Sequence, residues 1–185
     1  ALIDGEIARL GDDAPPLLEL TRLHVLDAAA RRDFRGRTAW VQQHVDRLRY
    51  FETGGVYRVA QRAYEDLYER HRDAPEADRL AWEYLSRLDP GECEDDASCW
   101  LDRVERSYAA YWQRFPEGPY VEEALTRAAE ILEIVARYAC WTGQDDDTRV
   151  PGERVSDLEA SVRALDAEGR ERVLELVAQI RERCP

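Results

Sequence analysis

The chain contains no lysine and no methionine, and all 26 of its basic residues are arginine. Without lysine there is no Schiff-base chemistry and no phosphate-binding P-loop. No apolar run approaches the roughly 18 residues of a membrane-spanning helix. None of Ser86, Ser98, Ser107, Ser156 and Ser161 lies in a G-x-S-x-G elbow. The only histidines, His24, His44 and His71, form no H-x-x-x-H or H-E-x-x-H motif. All three read as packed or surface residues, with His44 on a helical face with Val41, Leu48 and Phe51. No glycine-rich loop cradles phosphate, and Gly54-Gly55 reads as a tight turn between two helices. Positive charge is scarce too: 26 basic against 39 acidic residues gives a net charge of −13. That balance argues against nucleic acid as the main partner and against electrostatic attachment to anionic lipid. These gaps point away from an enzyme and leave the catalytic, cofactor and metal assignments empty.

No segment alternates with the period of a strand. Apolar residues recur instead at three and four, as on the buried stripe of an amphipathic helix. One stripe is Val56, Ala60, Ala63, Leu67 and His71; another is Trp100, Val104, Tyr108, Tyr111 and Phe115. A third is Val121, Ala124, Ala128, Leu132, Val135 and Ala139. The pattern predicts an all-α chain of about eight helices near 16–32, 37–51, 55–72, 76–88, 97–114, 119–141, 156–164 and 167–183, with a short turn around 3–10. Pro75 and Pro119 suit first helical positions. Ser156-Asp157-Leu158-Glu159 has the form of a capping box, and Asp166 is a further cap candidate. The 185 residues suit a single domain with no strong internal boundary. Five Trp, nine Tyr and three Phe fall mostly on these stripes, as packing between helices requires.

One phrase occurs twice. Residues 107–125 read SYAAYWQRFPEGPYVEEAL, and residues 63–81 read AYEDLYERHRDAPEADRLA. A shift of 44 places Tyr64 on Tyr108, Tyr68 on Trp112, Arg70 on Arg114 and Pro75 on Pro119. Recurrence of this kind predicts stacked antiparallel hairpins, a repeat core over 54–141 with added helices at both ends and a C-terminal pair over 156–183.

Cys93, Cys99, Cys140 and Cys184 allow three pairings. Two bridges in an oxidising compartment are expected; unpaired thiols in the cytosol and a zinc site are the alternatives. A Cys93–Cys99 bridge closes a short loop worth about 2.4 kcal/mol in chain entropy, and a Cys140–Cys184 bridge a long one worth about 4 kcal/mol. The acidic runs Glu92, Glu94, Asp95, Asp96 and Asp145-Asp146-Asp147 invite a calcium reading, but lack the alternating ligand loop.

The phrase around Tyr111, Arg114, Phe115, Pro116, Pro119, Tyr120, Glu123 and Ala124 resembles tetratricopeptide hairpins of bacterial envelope proteins, the outer-membrane assembly lipoproteins and the Tol–Pal-associated proteins. The match covers about 20 residues well and 63–81 weakly. The resemblance implies a non-enzymatic module that binds a protein or peptide, an accessory or scaffold protein of the periplasm or cell envelope. Because the chain starts at Ala1, a removed signal peptide is expected, and membrane association only through an N-terminal anchor preceding it. The alternatives are a cytoplasmic location and an ion-binding protein or enzyme that uses the acidic loops.

Overall fold

The computed structural model describes residues 2–32, 39–52, 54–88, 93, 96–138 and 150–183. Nine helices and one small sheet occupy them. The helices are α1 (Leu2–Leu10), α2 (Pro16–Arg32), α3 (Ala39–Gln42), α4 (Gln61–Arg70) and α5 (Ala77–Leu85). Then come α6 (Ala97–Arg103, continuing through a π-helical stretch Val104–Ala109 into Ala110–Arg114), α7 (Val121–Tyr138), α8 (Gly152–Arg163) and α9 (Arg170–Arg183). The expected all-α class with about eight helices is therefore what the chain adopts.

The sheet corrects the reading of 37–60. Helix α3 ends at Gln42, a 3-10 turn covers Val45–Arg47, and β1 (Leu48–Phe51) pairs antiparallel with β2 (Val56–Val59). Gly54-Gly55 thus turns a hairpin between two strands. Gly55 has φ +60°, and its N–H donates to Glu52 O at 3.1 Å. His44 lies beyond α3 rather than on a helical face with Leu48 and Phe51, and Val56 belongs to β2 rather than to the stripe that continues into α4.

The fold divides into two compact units, residues 1–84 and 85–185. In the first, α2 lies against β2 and α4. Leu20, Leu23, Leu26 and Ala30 recur at helical spacing and are buried, together with Val41, Val59, Tyr64, Leu67, Tyr68 and Leu80. In the second, α7 is covered by α6 and α9, and α9 also packs on α8. The predicted stripe Val121, Ala124, Ala128, Leu132 and Val135 is buried, while Ala139 lies outside the described residues.

The second unit opens on two devices at one place. A disulfide joins Cys93 to Cys99, and Asp96 caps α6 by accepting from the N–H groups of Ser98 (2.8 Å) and Cys99 (3.1 Å). Cys140 and Cys184 lie outside the described residues. Ser156 does not cap a helix: α8 begins at Gly152, and the Ser156 hydroxyl donates back to Gly152 O at 2.9 Å. Nor does Asp166 stand at a helix start, since α9 begins at Arg170 after Gly169.

Candidate functional site

The repeated phrase builds a helix–turn–helix with corresponding boundaries in each unit. Helix α4 ends at Arg70 and α6 at Arg114, and α5 begins at Ala77 and α7 at Val121, so both boundaries differ by 44. Pro75 and Pro119 each stand two residues before the second helix, in the turn rather than at its first position. Tyr64, Tyr68, Tyr108 and Trp112 are all buried. The Trp112 indole N–H donates to Ser161 Oγ at 3.1 Å, fastening α6 to α8. Arg114 lies over the Phe115 ring at 5.8 Å. These residues define the packing of each hairpin and offer no free aromatic surface.

Charged side chains meet around α2. The buried carboxylate Glu19 accepts from Arg70 Nη1 (3.0 Å) and Nη2 (2.7 Å), a bidentate pair, with His71 Nε2 at 3.5 Å. Burial pushes the Glu19 carboxyl up, but the Arg70 hydrogen bonds and charge, then His71, outweigh it and hold it below its ordinary value. Arg22 is drawn down first by burial and next by the Arg47 charge. The other histidines face carboxylates of their own: His24 Nε2 lies 3.0 Å from Glu83 and His44 Nε2 3.7 Å from Asp4. Trp40 donates to the same Asp4 at 2.8 Å. Each histidine thus sits beside a different acid, and among the described residues no group of three or more His, Cys, Asp or Glu is arranged to hold a metal ion. Of the acidic runs, Asp96 is occupied as the α6 cap; Glu92, Glu94, Asp95 and Asp145 to Asp147 lie outside the described residues.

The hairpin of the first unit differs from these packed sites because it presents side chains outward. Its register pairs Leu48 with Val59, Arg49 with Arg58, Tyr50 with Tyr57 and Phe51 with Val56. Alternation puts Leu48, Val59, Tyr50 and Tyr57 on one face. Val59 is buried, while Tyr50 is 46% exposed, with its ring 5.2 Å from that of Tyr57. The opposite face carries Arg49, Arg58, Phe51 and Val56, with the Arg58 guanidinium 4.3 Å over the Phe51 ring. Both arginines are exposed, and neither has an ion-pair partner among the described residues. Two like charges directly opposite each other weaken a strand pair, so this face favours incoming negative charge.

None of Arg49, Tyr50, Phe51 and Arg58 belongs to the candidate set drawn from the sequence. The available signal was Gly54-Gly55 flanked by the strand formers Tyr50, Phe51, Val56, Tyr57 and Val59.

Comparison with known protein families, curated protein sequences and solved structures finds no match for this chain. Among the described residues no helix is long and apolar enough to cross a membrane.

Proposed function

We propose that this chain is a non-enzymatic binding module that holds a protein or peptide partner, acting as an accessory or scaffold protein of the bacterial cell envelope. The observation that carries the binding reading is the hairpin of the first unit. It offers an exposed tyrosine on one face and, on the other, two exposed arginines with no ion-pair partner among the described residues; these are the residue types that anchor most interfaces. The recurrence of one helical hairpin in both units supports a scaffold role, because repeated hairpins commonly serve as recognition surfaces. The Cys93–Cys99 bridge supports an oxidising compartment, where such bonds persist. The tetratricopeptide resemblance favours the envelope over other oxidising locations.

The test is affinity capture from bacterial envelope extract with the intact chain and with the Arg49→Ala, Tyr50→Ala, Arg58→Ala variant. A discrete partner retained by the first and lost by the folded variant supports the proposal. Identical capture profiles for the two proteins, or no partner for either, would reject it.

A further inference from the structure

We propose that β1 accepts an extended acidic peptide segment as a third strand, a mode of binding that rests on the partner-holding reading above and specifies its chemistry. Ala60 N–H donates to Arg47 O at 2.7 Å. In an antiparallel pair, bonded and non-bonded positions alternate. Arg49 with Arg58 and Phe51 with Val56 are therefore bonded pairs, whereas Leu48 with Val59 and Tyr50 with Tyr57 direct their backbone groups outward.

The two outer edges are treated differently. On β2, the outward Val59 N–H donates to Asp27 Oδ1 of α2 at 2.9 Å, and α2 lies along this strand. On β1, the Leu48 N–H closes the preceding turn on Val45 O. The Leu48 carbonyl and both backbone groups of Tyr50 remain on the outer edge, with no bond to another described residue. A short edge of this kind is a template for strand addition.

Charge selects the occupant. Residues 47–58 hold three arginines, Arg47, Arg49 and Arg58, against one acid, Glu52, in a chain of net charge −13. Arg49 and Arg58 share one face of the hairpin. A second copy of β1 would set Arg49 against its equivalent, which like-charge pairing disfavours. A strand alternating acidic with aliphatic or aromatic residues would instead place its acids beside Arg49 and its apolar residues beside Tyr50.

The experiment uses the full chain and fluorescein-labelled peptides alternating Glu with Val, and Arg with Val, read by fluorescence anisotropy. Amide exchange at Tyr50 is followed as well. The Glu-Val peptide is expected to bind, to slow Tyr50 exchange, and to lose at least about tenfold in affinity on Arg49→Glu with Arg58→Glu, which should then favour the Arg-Val peptide. Tyr50→Pro, which removes the outward donor without breaking a hairpin bond, is expected to weaken binding by a similar factor. Should Tyr50→Pro unfold the hairpin, the charge reversal and the exchange measurement decide alone. Binding of the Glu-Val peptide with unchanged Tyr50 exchange and no response to charge reversal overturns the strand-addition inference and leaves partner binding standing. No binding of either peptide, while envelope capture still depends on the hairpin, overturns it in the same way. Failure of both experiments removes both readings.

Discussion

Glu19 carries the most consequential single charge, because a carboxylate only 9% exposed is tolerated only with its partner in place. Its value in the folded chain is depressed, so its stabilising contribution is present above the unfolded value, near 4.5, and is lost as pH falls through the folded one. Arg70→Ala is expected to cost about 1–2 kcal/mol at neutral pH, an amount kept small because the Arg70 side chain is itself half exposed. Urea unfolding at pH 7 and at pH 3 checks this: the gap between the two proteins should shrink at the lower pH, and a constant gap would contradict the assignment. Ser107 is the reverse case. Its hydroxyl is buried in the π-helical stretch with no hydrogen-bond partner among the described residues. Ser107→Ala should be neutral or stabilising by up to about 1 kcal/mol; clear destabilisation would mean that the hydroxyl has a partner.

At the scale of elements, the turn after α6 explains why the two copies of the phrase differ where they do. Tyr111 Oη accepts from Tyr120 N–H at 3.4 Å, and a Cβ placed on Gly118 would lie 2.5 Å from that oxygen. With the shift of 44, Tyr111 corresponds to Leu67 and Gly118 to Ala74. Where the tyrosine is a leucine, the phenolic oxygen is gone and the glycine is an alanine. Gly118→Ala alone is therefore expected to cost about 1–3 kcal/mol, and markedly less in the Tyr111→Leu background. Thermal and urea unfolding of the four proteins of this cycle measure the coupling; strict additivity would refute the steric account.

The same scale marks where sequence periodicity succeeded and where it misled. Helices α2, α6 and α7 were legible because long stripes such as Val121 to Val135 repeat a 3.6-residue period many times. The hairpin was not, because Val56, Ala60, Ala63 and Leu67 happen to continue a helical spacing backwards from α4 through a four-residue strand. Strands this short, with only Val59 fully buried, leave almost no alternation to detect. The candidate binding residues were missed for that reason: Arg49 and Tyr50 acquire meaning only once the chain reverses at Gly54-Gly55. The aromatic residues that define the phrase were legible as packing residues and proved to be so.

For the whole molecule, the distribution of charge matters more than its sum. Among the described residues, five arginines pair with an acid four residues away on their own helix: Arg31–Asp27, Arg62–Asp66, Arg106–Asp102, Arg127–Glu123 and Arg163–Glu159. Such pairs are individually worth about 0.3–0.5 kcal/mol, yet they neutralise the helical arginines locally. Others tie elements together, as Arg154 ties α8 to α6 through Glu105 (2.6 Å) and Ser98 (2.9 Å). Arg49 and Arg58 lie on the strand pair and have no ion-pair partner among the described residues. Global stability also draws on the Cys93–Cys99 bridge: reduction should lower it by about 2 kcal/mol, read as a shift in the urea midpoint that Cys93→Ser with Cys99→Ser abolishes. An unchanged midpoint would show that the bridge does not constrain the unfolded chain.

The unequal edges of the hairpin also set a valence. Amyloid growth and open filaments need a sticky edge on each side of the unit, so that every addition exposes another. Here the Val59 end of one edge is occupied by Asp27 and α2, while the other makes no bond at Tyr50 to another described residue. A strand that docks on β1 therefore finds the Val59 end of the far edge already held, which disfavours growth of this hairpin from both sides at once.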